Sequence, residues 1–170
     1  KRQERAQRGY LAAIKALGRR AEFIVGDIAD IASHRALLDR VWADFGTLDC
    51  LVNNAGSSTR STFYDGGWDN VRRHMELNFD AQVRLTEALL PLLRASAPSS
   101  IVFVSSVAGR VARGGAGSYS ASKFALSFGD VDADGDLAAL VTQPLDHSLL
   151  AGLRDVAGEV GDDLASALAA

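Results

Sequence analysis

The sequence predicts an α/β fold built around parallel strands, and three observations carry that expectation. Short apolar runs at 21–25, 48–52 and 99–106 alternate with stretches whose apolar residues recur at helical spacing. The runs give way to glycine, asparagine or serine, residues that suit the loop after a strand. The chain has 170 residues, 48% hydrophobic and 23% charged, which is sized for one globular domain and is not a disordered composition.

The elements follow in order. Residues 1–20 carry 7 of the 18 basic side chains, and Tyr10, Ile14 and Leu17 recur among them, which predicts an amphipathic helix with a basic outer face. Gly18 ends it, and Ala-Glu-Phe-Ile-Val at 21–25 predicts a short buried strand stopped by Gly26 and Asp27. A second helix is expected over about 31–45, where Leu37, Leu38, Val41, Trp42 and Phe45 form one stripe and Gly46 closes it. The next strand, 48–52, runs into Asn53-Asn54-Ala55-Gly56, and a polar loop extends through Gly67. A long helical region over about 68–93 meets its first breaker at Pro91. The third strand, 99–106, holds the run Ile101-Val102-Phe103-Val104, and a glycine-punctuated loop leads to a helix starting near Ser118.

Composition excludes several classes. Eighteen basic against 21 acidic residues leave a net charge of −3, which gives no electrostatic reason to expect nucleic acid or membrane as a partner. The Arg-rich start reads as a solvated helix face. The apolar runs are far too short to span a bilayer and no signal peptide is visible, so a cytoplasmic location is expected. Lys1 rather than Met at the first position is expected of a chain cut from something longer. Cys50 stands alone, which excludes an internal disulfide or a multi-cysteine metal site and reads as a small core residue. His34, His74 and His147 share no metal-like spacing; they are expected on the surface or on helix faces, and no metal site is expected. Gly114-Gly115-Ala116-Gly117 is not a phosphate loop, because it follows no strand directly and Ser120 stands where the last glycine would be.

The constellation that can do chemistry is Tyr119-Ser120-Ala121-Ser122-Lys123 with Ser106. On a helix, Tyr119 and Lys123 stand at i and i+4 and face one side. An ammonium near a phenol favours the phenolate and brings tyrosine toward acid–base use. Ser106 ends a strand at the carboxyl edge of the sheet, where α/β folds open their ligand crevice, and a hydroxyl there can hold a substrate carbonyl. Tyr-x-x-x-Lys alone is weak. Joined to a Ser-Ser thirteen residues upstream and to Asn-Asn-Ala-Gly after the preceding strand, it is specific.

Over about residues 11–126 the sequence resembles the short-chain dehydrogenase/reductases, Rossmann-fold oxidoreductases that use NAD or NADP. Five patterns match in order: Gly26-Asp27-Ile28, Asn53-Asn54-Ala55-Gly56, Asn78 in the long helix, Ser105-Ser106, and Tyr119 with Lys123. The resemblance implies hydride transfer between the nicotinamide cofactor and a small-molecule alcohol or carbonyl. Tyr119 would be the acid–base, and Lys123 would lower its pKa and bind the nicotinamide ribose. Ser106 would hold the carbonyl, and Asn78 would anchor a water-mediated proton relay. Asp27 and Ile28 would lie against the adenine, and Asn54, Ala55 and Gly56 would line the cofactor cleft. Assembly into homo-oligomers through the central helices is also implied.

The chain departs from that pattern at both ends. The expected fold is an incomplete Rossmann-like doubly wound sheet, with the first two and the last strands of the family missing and a helical C-terminal tail. No glycine-rich turn between a first strand and first helix is present to seat a pyrophosphate, and the residues that choose NAD or NADP are missing with it. In the order 3-2-1-4-5-6, strand 21–25 would stand roughly 14 Å from strand 48–52. Two expectations follow: a rearranged sheet with Phe23-Ile24-Val25 beside Leu51-Val52, or a marginally stable fragment. The division expected is 1–127, a partial dehydrogenase domain, and 128–170, a divergent acidic loop plus amphipathic helix. Asp130, Asp132, Asp134 and Gly135 are spaced like the first half of a calcium loop, but Val141 stands at the twelfth position of 130–141 instead of a bidentate Glu. The alternative function is thus a catalytically inactive fragment or interaction module, with a solvated acidic loop or a weak calcium site in the tail.

Overall fold

A computed structural model describes residues 2–126 and 137–142. In chain order it holds α1 (Arg2–Ala16), α2 (Ile31–Phe45), β1 (Cys50–Asn53), α3 (Phe63–Met75), a π-helical turn (Glu76–Asp80), α4 (Ala81–Ala95), β2 (Ser99–Val104), a 3₁₀ turn (Val107–Gly109), α5 (Gly117–Leu126) and β3 (Leu137–Thr142). The strands form one parallel sheet in the order β1-β2-β3, with Leu51 opposite Ile101 and Val102 opposite Leu140.

β2 accounts for the apolar run Ile101-Val102-Phe103-Val104. All six of its residues are buried, because a central parallel strand is covered on both faces and cannot alternate. One face presents Ile101 and Phe103 to a core formed with Leu51, Leu85, Leu89, Leu93 and Leu126; the other holds Val102 and Val104 with Cys50 beside them. Each fully buried Leu or Ile there contributes about 1.5–3 kcal/mol of transfer free energy. α4 supplies three of those leucines at helical spacing, and α2 packs on α4 through Leu37 and Leu38 at the margin of the same core. Pro91 lies inside α4 without ending it.

α2 matches its expected span, and its ends have chemical causes. The Asp30 carboxylate accepts the Ala32 N–H at the N-cap, and Gly46 takes φ 74° at the other end, a left-handed conformation that a Cβ would strain.

Two expectations are corrected. Residues 21–25 are not a strand, and the rearranged sheet does not form: β1 pairs with β2 alone among the described residues, and Val25 is 86% exposed. α2 supplies a crossover between 21–25 and β1, but in the doubly wound order 3-2-1-4-5-6 the place beside β1 belongs to the first strand, not to the third that 21–25 resembles. The segment before it is instead tied to α2, where the Arg20 guanidinium donates to the Asp44 carbonyl at 2.6 Å and stands 4.7 Å from the Phe45 ring centroid. β1 therefore keeps an open edge, with Val52 46% exposed. The second finding is β3: the tail was read as an acidic loop and a helix, yet residues 137–142 extend the sheet beside β2. Residues 130–136 and the tail-helix expectation lie outside the described residues.

Candidate active site

α5 is fastened to the end of β2 at one residue, Lys123. The Ser105 hydroxyl donates to the Lys123 carbonyl at 3.0 Å, and the Lys123 ammonium donates to the Val104 carbonyl at 2.8 Å. Gly109 makes this approach possible: a Cβ there would fall 2.7 Å from the Lys123 carbonyl oxygen and 2.7 Å from the Ser105 hydroxyl. A Gly109→Ala substitution should accordingly destabilise the protein by about 1–3 kcal/mol, the usual range for overpacking against backbone, as urea unfolding would measure.

Lys123 is buried, and its removal from water pushes its pKa below the ordinary lysine range. One turn earlier, Tyr119 is half-buried, its ring edge-on to His74 with centroids 6.1 Å apart. The Ser122 hydroxyl donates to the Tyr119 carbonyl and accepts from the Asn78 amide, so α5 is also held to the π-helical turn. Tyr119 and Lys123 border one cleft of about 170 Å³, whose other walls include Asn54, Gly56, Ser58 and Ser105.

The remaining expected site residues are placed as follows. Asn78 is fully buried; its carbonyl oxygen accepts the Ser57 N–H at 2.8 Å and its amide donates to the Ser57 carbonyl at 2.9 Å. Gly56 stands so close to this pair that a Cβ would lie 3.1 Å from Asn78 Oδ1 and 3.6 Å from Lys123 Nζ. Ala55 directs its carbonyl to the Gln82 amide, away from the cleft. Ser106 is half-buried at the start of the 3₁₀ turn, its oxygen accepting the Ala108 N–H at 3.2 Å; Ser105, not Ser106, is among the cleft walls. Asp27 and Ile28 stand elsewhere, in a hollow of about 410 Å³ bordered by Ile24, Val25 and Leu37. A third hollow, about 300 Å³, has Asp27 as a wall in common with that one and Ser57 in common with the Tyr119 cleft.

Two histidines stand on helices, one of the two expected placements, but on buried faces and not on the surface. His34 is buried, with Nε2 2.6 Å from the Ile28 carbonyl, and His74 is buried between Thr59 and Asn70. His147 lies outside the described residues. Gln82 is a further contributor that the sequence analysis does not single out, and Ser105 and Ser122, which stand inside its motifs without a role of their own, gain one here. Cys50 is half-buried, and burial followed by the neighbouring Asp49 charge pushes its thiol up, away from nucleophilic use.

With this geometry in place, comparison with known proteins is informative. The family model described as short chain dehydrogenase matches residues 1–128. Human dehydrogenase/reductase SDR family member 7 is 39% identical over 100 residues, which are 59% of this chain and 30% of that one. The crystal structure of a short-chain dehydrogenase from Streptomyces avermitilis superposes with a TM-score of 0.68 at 32% identity, over 76% of this chain and 50% of that one. A 3-oxoacyl-[acyl-carrier protein] reductase from Brucella melitensis, solved in complex with NAD, gives a TM-score of 0.65 at 31% identity over 69% of this chain and 49% of that one. The chain thus spans under a third of the human relative and about half of each solved structure.

Proposed function

The chain belongs to the short chain dehydrogenase family, and we propose on that premise that its site performs the acid–base half of a reversible hydride transfer between a nicotinamide dinucleotide and a small alcohol or carbonyl compound. The observation that carries the reading is the pairing of a half-buried Tyr119 with a desolvated Lys123 one helical turn away on the wall of one cleft.

The residues present suit the nicotinamide-ribose end of such a cofactor. Lys123 offers an ammonium donor, and Asn54 and Gly56 offer a rim where a missing Cβ leaves backbone accessible. The shared walls Ser57 and Asp27 support an elongated ligand running from Tyr119 toward Asp27 and Ile28, the expected adenine side. Among the described residues no strand leads through a glycine-rich turn into a helix, so the pyrophosphate seat and the choice of NAD or NADP are not read from this chain.

When bound, the nicotinamide supplies or accepts the hydride. In the reducing direction Tyr119 gives its phenolic proton to the carbonyl oxygen as the carbon takes up hydride, and oxidation runs the same proton back to the phenolate. Lys123 holds its ammonium on the wall of the same cleft, one helical turn from Tyr119. Ser106, which follows the cleft wall Ser105 and caps the next turn, would reach the substrate oxygen with its O–H from beside that wall. Asn78 anchors the proton relay from the helix side. A cytoplasmic location suits the lone, unpaired Cys50, and exposed Phe63, Tyr64 and Trp68 on α3 support self-association.

The rival reading is an interaction module without turnover, favoured by the open β1 edge and the exposed residues 23–25. Equilibrium titration with NADH and with NADPH separates the two. Submillimolar binding of either coenzyme is expected; binding of neither overturns the oxidoreductase reading.

A further inference from the structure

Four buried polar side chains stand four residues apart along α3, the π-helical turn and α4: His74, Asn78, Gln82 and Thr86, exposed by only 3%, 0%, 0% and 6%. Each meets the chain between Asn53, the last residue of β1, and Thr59, and the meeting points step back by two. His74 Nε2 accepts the Thr59 N–H at 3.1 Å, and Asn78 brackets Ser57 with both of its amide atoms. Gln82 Nε2 donates to the Ala55 carbonyl at 2.6 Å, and Thr86 Oγ1 accepts from the Asn53 amide at 2.9 Å. Four helical residues rise about 6.0 Å, so the rungs are evenly spaced along the helix. In an uninterrupted α-helix a four-residue step overshoots one turn by about 40°, which over three steps would carry the last side chain off the face. The π-helical turn at Glu76–Asp80 rotates less per residue and keeps the stripe aligned.

We infer that this ladder is a positioning device for the site: by holding residues 53, 55, 57 and 59 to the helix it sets Asn54, Gly56, Ser57 and Ser58 as walls of the cleft that Tyr119 and Lys123 border. The inference rests on the reading of that cleft as the coenzyme site, and it assigns His74 and Gln82 a task that the catalytic pattern does not name. His74 fills its rung in one protonation state. Its Nδ1 lies 2.7 Å from the Asn70 carbonyl and must donate, while Nε2 must accept from Thr59, so the ring is the neutral Nδ1–H tautomer. Gln82 is the informative rung for mutation. Its Oε1 is buried without a partner, so Gln82→Met removes an orphaned acceptor together with the bond to Ala55 and is expected to leave global stability near that of the unmodified chain.

The test is amide hydrogen exchange at Ser57 and Thr59 by NMR in the full chain, with NADH affinity measured on the same samples. Gln82→Met and His74→Leu should each speed exchange at both amides by about tenfold. His74→Gln, which restores an acceptor near the Nε2 position, should recover protection, and the imidazole nitrogen shifts should report the Nδ1–H tautomer. NADH affinity should fall by about tenfold in Gln82→Met. Exchange within twofold of the unmodified chain in both rung variants overturns the ladder, as does His74→Gln exchanging as fast as His74→Leu. Faster exchange with unchanged NADH affinity overturns its positioning role. If the unmodified chain binds neither coenzyme, the oxidoreductase reading fails by itself, and the exchange rates still decide whether the ladder holds the wall.

Discussion

Tyr119→Phe is expected to lower kcat by about 10²–10⁴-fold while coenzyme affinity stays within a few-fold. The substitution deletes one oxygen and keeps the ring, so the edge-on packing against His74 and the hydrogen bond from the Ser122 hydroxyl to the Tyr119 carbonyl survive. What disappears is the group that exchanges a proton with the substrate oxygen. Water can enter an open cleft and replace it only poorly, because it lacks both the fixed position and the neighbouring ammonium. Steady-state turnover of the best alcohol or carbonyl couple, with NADH titration alongside, reads both quantities. Retention of full kcat would remove Tyr119 from the chemistry and leave the cleft as a binding site.

The helices and the reactive pair were legible for a common reason: their information is local. The stripe from Leu37 to Phe45 with Asp30 before it and Gly46 after it contains everything needed to place α2. Tyr119 and Lys123 needed only a helix, and the one expected from near Ser118 is α5, Gly117–Leu126. Strand partners are not local. Phe23, Ile24 and Val25 have the composition of a buried strand and lie exposed, because burial requires a neighbour that their own residues do not specify. β3 went unannounced for the converse reason, since pairing with β2 supplies what its flanking acidic segment obscured.

The supporting polar residues were hidden differently. A lone histidine or glutamine on a helix is ordinarily solvent-facing. His74 and Gln82 carry meaning only when read with Asn78 and Thr86 as one four-residue stripe opposite residues 53–59. The period was present in the sequence; the run from Asn53 to Thr59 that gives it a use was visible only in the fold. Ser105 and Ser106 show a finer limit. Adjacent residues at a strand end point to opposite sides, and the structure gives Ser105 the clasp on α5 while Ser106 caps the next turn.

Lys123→Met is expected to separate function from stability. Loss of the ammonium should lower kcat by about 10²–10³-fold, within the range for acid–base chemistry, because a cationic donor is removed from the cleft wall one helical turn from Tyr119. Folding should not suffer in proportion. Methionine keeps an unbranched chain in the same space and forfeits the bond to the Val104 carbonyl, but it also removes a cation held out of water. At neutral pH the variant is expected to be more stable by up to about 1 kcal/mol. The pH dependence fixes the sign. Burial holds the Lys123 pKa below its usual 10.5. Well below the depressed value both folded and unfolded chains carry the proton, and the full burial penalty applies. As pH rises from the depressed value toward 10.5, the folded chain gives up its proton first. The unfolded chain then binds more protons, so stability increases with pH across that window. Over the same window catalysis fades as the ammonium is lost. Unfolding free energies measured across the alkaline range should therefore climb for the unmodified chain and show no Lys123-linked rise in Lys123→Met. The same slope in both proteins would mean that Lys123 is not the group whose burial sets it.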